Sequence, residues 1–181
     1  RWIVFTSNIV GNGSQWNIFK LNYHNSELVQ LTSNGFSWRP SWSPDNSLIA
    51  FAVNESIYLM EINGDNQHEL ITTHIQNSKP AWSPDGRWIA FVYRDDSGDA
   101  LYKINIGNQA IQRITSNLPL VSNPTWSPDG EWIAFSAFQN NYAVLYKVRP
   151  DGTELQQIVS LPECNLTSPT WIFPHDNVAS S

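Results

Sequence analysis

The chain has 181 residues, nine of them tryptophan and one a cysteine, with a formal net charge of −6. Charged residues make up only 14% of it, which points to a packed domain rather than a disordered one, and no Lys/Arg cluster offsets the acidic balance, so nucleic acid is excluded as a partner. The lone Cys164 cannot build a disulfide framework or a cysteine-only metal site, and no apolar run of about eighteen residues is present to cross a membrane.

Taken in order, the chain opens on Arg1-Trp2-Ile3-Val4-Phe5, a strand with no turn before it. Ile18 to Leu21 and Leu28 to Thr32 follow as two more strands. A longer unit then begins and is repeated. Trp42-Ser43-Pro44-Asp45-Asn46 leads into Leu48-Ile49-Ala50-Phe51, Trp82-Ser83-Pro84-Asp85-Gly86 into Trp88-Ile89-Ala90-Phe91, and Trp126-Ser127-Pro128-Asp129-Gly130 into Trp132-Ile133-Ala134-Phe135. Ser, Pro, Asp and Gly or Asn suit the seats of a type I turn: proline presets φ, Asp bonds back to nearby backbone, and the last residue accepts a positive φ. The strand after the corner is apolar on both faces, so both faces must be covered.

Laying the copies over one another predicts four strands per unit. A short strand A ends at the corner Trp, strand B follows the corner, and strand C carries an aromatic in its second place, as in Ile57-Tyr58, Leu101-Tyr102 and Leu145-Tyr146. A Gly-containing turn then leads to a weaker strand D ending at Ile71-Thr72, Ile114-Thr115 or Ile158-Val159. Arg1 to Phe5 matches strand B of the repeat, and Ser168-Pro169-Thr170-Trp171 reads as a strand A with no unit after it.

A four-stranded meander repeated every 40 to 45 residues is the signature of a radial array. The expected fold is therefore all-β, a β-propeller of four antiparallel four-stranded blades in a single domain over 1–181. Blade 1 is expected over 1–32 with 168–172 as its closing strand, blade 2 over 39–72, blade 3 over 79–115 and blade 4 over 123–159. Two arrangements stay open, a closed four-blade ring and half of a larger ring, in which two chains form a homodimer of eight blades. A third reading takes the chain as a piece of a longer array.

These repeats resemble those of TolB-like β-propellers, a WD-like group, and more loosely the propellers of prolyl-oligopeptidase-type and tricorn-type peptidases. The resemblance covers essentially the whole chain. Family propellers usually have six or more blades where four are present here, and the last copy, Trp171 to Asn177, is two residues longer before its turn. The resemblance implies a bacterial envelope partner and a periplasmic, extracytoplasmic setting.

Asp45, Asp85 and Asp129 are expected to serve turn geometry, and Trp42, Trp82, Trp126 and Trp171 to pack blades rather than form a ligand cage. Asp95-Asp96-Ser97-Gly98-Asp99 lacks the calcium-loop pattern and reads as a hairpin tip. His24, His68, His74 and His175 show no zinc spacing, and there is no nucleophile elbow or phosphate loop. No catalytic residue, metal or cofactor is expected. What remains is the face that gathers the D-to-A and B-to-C loops around the channel, where Phe36, Trp38, Arg39, His74, Lys79, Leu118, Leu120 and Asn123 form the expected partner-binding surface. The chain thus reads as a non-catalytic binding module for another protein. Its rivals are the gating propeller of a peptidase and a lyase or glycan-processing propeller working at the channel mouth.

Overall fold

The computed structural model of the chain describes residues 1–9, 14–76, 78–116, 118–139, 141–159 and 165–171. Every regular element in it is a strand. The first sheet holds β1 (Trp2–Ser7), β2 (Asn17–Asn22) and β3 (Glu27–Gln30) in antiparallel order. The second holds β4 (Ser37–Trp42), β5 (Leu48–Val53), β6 (Ser56–Glu61) and β7 (His68–Thr72). In the third are β8 (Ala81–Trp82), β9 (Trp88–Asp95), β10 (Gly98–Asn105) and β11 (Ile111–Arg113). The fourth is made of β12 (Ser122–Trp126), β13 (Ile133–Gln139), β14 (Tyr142–Val148) and β15 (Gln156–Val159). Among the described residues the predicted A-B-C-D meander is thus present three times, with a B-C-D set first, and the sheets do not close into a ring. Residues 168–171, expected to complete blade 1, form no ladder with β1, and residue 172 lies outside the described residues.

Each corner is held in one repeating way. Asn46, Gly86 and Gly130 take positive φ of 59°, 69° and 73°. Their amides donate to the carbonyls of Ser43, Ser83 and Ser127, and the residue after each receives the corner carboxylate on its amide. The serine hydroxyl, buried in each copy, accepts from the amide five residues on, that of Leu48, Trp88 or Trp132, at 2.9 Å and donates to the carboxylate.

The core lies between sheets rather than at a centre. Along strand B the large residues face the preceding blade and the small ones face the next. Ile49 and Phe51 pack with Ile18 and Leu31 of blade 1, whereas Ala50 joins Ile89 and Phe91 of blade 3. Ala90 and Val92 in turn meet Ile133 and Phe135 of blade 4. The aromatic of strand C packs on the phenylalanine of strand B in every blade, as Phe5–Phe19, Phe51–Tyr58, Phe91–Tyr102 and Phe135–Tyr146.

Several strand boundaries differ from the sequence expectation. Strand D of blade 3 stops at Arg113, because the amides of Ile114 and Thr115 both point at the Leu101 carbonyl while the Thr115 hydroxyl accepts the Leu101 amide at 3.0 Å. Thr32 ends blade 1 alike, accepting from Ile18 at 2.9 Å. Strand A of blade 3 shrinks to Ala81–Trp82, since the Ser78 hydroxyl serves both backbone groups of Val92 and replaces the rest of the ladder.

Blades are also tied together along their strands A. The indole Nε1 of Trp82 donates to Ser41 O, that of Trp126 to Ala81 O and that of Trp171 to Thr125 O, at 3.1, 3.1 and 3.2 Å. These tryptophans therefore do the packing work expected of them, each clasping the strand A before its own.

Candidate functional site

The face of the D-to-A loops is built from irregularities in strand A. Between Trp38 and Ser41 in β4, and between Ser122 and Thr125 in β12, the ladder slips by one residue against strand B. The slip takes in Arg39-Pro40 and Asn123-Pro124. Pro lacks an amide to pair, and Arg39 and Asn123 each adopt a φ of 52°. A left-handed arginine costs about 1–3 kcal/mol, tolerable because the strands on either side over-determine it. Lys79 holds the same seat before Pro80 in blade 3.

The two bulges bring Arg39 and Asn123 together. The Arg39 guanidinium donates to Asn123 Oδ1 at 3.3 Å across 84 residues of sequence. Half-buried Lys79 lines a cleft of about 230 Å3 along the inner strands of blades 2 to 4. Burial, and then the positive charge of Arg39, hold its ammonium below the usual lysine range. Among the described residues, neither cation pairs with a carboxylate. Two positive charges thus meet in a protein of net negative charge.

The other expected surface residues divide. Phe36 and Leu120 are exposed, at 58% and 55%. Trp38 instead stacks on Trp16 with ring centroids 4.7 Å apart, so it belongs to the rim packing of blades 1 and 2. His74 lies edge-on to Tyr93, and Leu118 packs against the core between blades 3 and 4. Sequence reasoning missed Ser78 and Trp16, which hold this face in shape. A serine two residues before a strand-A proline was the available signal for the first.

Carboxylates elsewhere are engaged locally. Hydrogen bonds from Ser43 and then from Ser47 bring Asp45 down to about 2, and Ser127 lowers Asp129. Burial works the other way at Asp85, but the Ser83 hydroxyl and the Arg87 amide and charge prevail and the group ends lowered. The Asp95 to Asp99 stretch is a hairpin between β9 and β10, with Arg94 on Asp99 at 2.6 Å and Arg113 on Asp95 at 3.1 Å. Burial and the Asp95 carboxylate push Tyr102 up to about 12. Among the described residues no group of three His, Cys, Asp or Glu is placed to hold a metal.

Solved structures with this arrangement include TolB from Acinetobacter baumannii, with a TM-score of 0.76 at 18% identity, covering 86% of this chain and 40% of that one. A TolB from Agrobacterium tumefaciens, described as putative, matches with a TM-score of 0.70 at 21% identity, covering 88% and 62%. An oligogalacturonate lyase in complex with manganese matches with 0.71 at 13%, covering 88% and 49%. At these identities the likeness is one of fold, and the chain spans between 40% and 62% of the lengths of these proteins. No curated protein sequence matches. The model of the TolB beta propeller domain matches residues 40–180, and the chain belongs to that family.

Proposed function

We propose that the chain is a non-catalytic protein-binding module whose channel mouth receives an acidic segment of its partner. The observation that carries this reading is the approach of the Arg39 charge to Lys79, with Arg39 bonded to Asn123 and neither cation paired with a carboxylate among the described residues. Holding two like charges together, one of them half-buried, is unfavourable in the free protein, so an incoming carboxylate relieves a repulsion as well as forming ion pairs. Exposed Phe36 and Leu120 on the same face supply apolar contacts around that charged centre.

A uronate saccharide carries the same charge, and the fold is shared with an oligogalacturonate lyase, so a lyase acting at this mouth is the second reading. The gating propeller of a prolyl-oligopeptidase-like enzyme draws only on shared fold. Titration with a glutamate-rich peptide and, separately, with an oligogalacturonate, read by tryptophan fluorescence, tests the proposal. The peptide is expected to bind, weakening with salt, and Arg39→Ala with Lys79→Ala should lower its affinity about tenfold, or about 1.4 kcal/mol. Indifference of binding to both substitutions removes the proposal. Selective binding of the saccharide with growth of an unsaturated product's ultraviolet absorbance puts the lyase in its place.

A further inference from the structure

The seam between blades 3 and 4 differs in chemistry from the seam between blades 2 and 3, although complete four-stranded sheets form both walls of each. Three matching seats show the difference. Leu48 and Leu59 of blade 2 close on Ile106 of blade 3 in one apolar cluster. Their counterparts one blade on are Trp88, Lys103 and Pro150, with Lys103 opposite Ala90 as Leu59 is opposite Ala50. Instead of closing, these three border a cleft of about 320 Å3, together with Trp126 and the corner residues Asp85 and Asp129. That volume lies at the lower end of the span of small-ligand sites, about 300–1,000 Å3.

Lys103 is 8% exposed. Its ammonium lies 4.4 Å from the centroid of the Trp88 ring, a contact that leaves further N–H donors to be met. Among the described residues that nitrogen makes no hydrogen bond and no ion pair. In the matching seat of blade 1, Lys20 donates to the carbonyl of Ile62 at 2.8 Å. Pro150 is the counterpart of Ile62, and Lys103 forms no such bond with it. Burial holds the Lys103 ammonium below the usual lysine range, against the pull of Asp151 and Asp85. The carboxylates of the two corners have capacity to spare as well: at Asp85 and Asp129 the serine hydroxyl and the backbone amide both go to Oδ1, and Oδ2 has no hydrogen bond among the described residues.

These groups select a ligand by exclusion. An anion meets Asp85 and Asp129, and a metal ion meets Lys103 and finds no third ligand among the described residues. A wholly apolar molecule leaves the ammonium desolvated and unpaired. A planar amide presents its donors and acceptor at one end, whereas the groups to be met here stand on two blades. Hydroxyls both accept and donate, and a ring that bears several of them reaches all three groups while its carbons lie on aromatic faces. We propose that this cleft binds a neutral saccharide, one hydroxyl accepting from Lys103, others donating to Oδ2 of Asp85 and Asp129, and the ring carbons resting against the indoles of Trp88 and Trp126. None of these residues belongs to the Arg39 and Lys79 face, so the inference is independent of what that face binds.

Titration with maltose, cellobiose and lactose, followed by tryptophan fluorescence and by saturation transfer from protein to sugar in NMR, tests it. At least one of the three is expected to bind in the millimolar range. Lys103→Leu sets in blade 3 the residue that blade 2 already carries, and should weaken that binding about tenfold or more. Trp88→Leu, likewise the blade 2 residue, should weaken it too. Lys147→Leu removes the same charge from the matching seat of blade 4, where the ammonium lies over Trp132, and should leave the affinity unchanged. A thermal melt of each variant ensures that binding is compared between folded chains. Failure of all three sugars to bind overturns the inference, as does binding that Lys103→Leu leaves untouched or that Lys147→Leu weakens equally. Binding of a glutamine-rich peptide in the sugar's place, with the same dependence on Lys103, assigns the cleft to an amide and overturns it too.

Discussion

A corner serine is the residue on which each blade turns. The roles of the Asp and the Gly of the repeat were legible from turn chemistry alone; the serine's seat in the turn was too, but not its bridging role, which depends on burial that only the folded corner creates. Ser127 shows what it does: its hydroxyl joins the Trp132 amide to the Asp129 carboxylate. Ser127→Ala leaves that amide unpaired in a buried place and should cost about 1–3 kcal/mol, seen as a fall in Tm of roughly 2–10 °C. The neighbouring carboxylates set a pH dependence. Asp45 falls from 3.8 to about 2 on folding, so the unfolded chain binds its proton first. Its contribution to stability is complete above pH 3.8 and is lost as the pH drops through about 2. Urea unfolding followed across that range should flatten in Asp45→Asn; an unchanged slope would show that the corner bonds survive protonation.

Elements meet through their turns as much as through their faces. The glycine of the C-to-D turn is a case where a turn residue serves the neighbouring blade. Gly152, at φ 89°, is so close to blade 3 that an added Cβ would lie 2.7 Å from the Ile114 carbonyl oxygen, and at Gly64, φ 93°, it would lie 3.0 Å from that of Leu31. Gly98 has a similar φ of 108° with open space around it. Gly152→Ala is therefore expected to cost on the order of 3 kcal/mol and Gly98→Ala about 1–2, the difference in denaturation midpoints reporting the inter-blade contact. Sequence could announce a turn at each of these glycines but not which of them abuts another sheet. Strand lengths were hidden for a related reason: Ser78 and Thr115 pair with backbone through side chains, and a hydroxyl substituting for a ladder bond leaves no periodic trace.

The molecule as a whole was the most legible level, because repetition multiplies a weak signal: three corners, three strands B and the aromatic of strand C align before any packing is known. The candidate site was legible only in part. Arg39, Lys79 and Asn123 could be placed at the mouth from their seats before proline, whereas the inward turn of Trp38 and Leu118 depends on contacts with Trp16 and the blade 3–4 core. Since the core is divided into interfaces, stability is divided too. Hydrogen exchange should find β5, β9 and β10, in the blades that pack against a neighbour on either face, slowest, and β1 and β3 fastest. A uniform rate throughout would mean that the four blades unfold as one.

The indole clasp has a sense of direction. Each blade from the third onwards reaches back to the strand before it, and each offers a carbonyl forward, so the array reads like a zip with a head and a tail. A duplicated unit could be spliced onto the forward end without altering a residue already in place, because the carbonyl it needs is already on offer. Lengthening such an array by a further unit then requires no new chemistry at the joint.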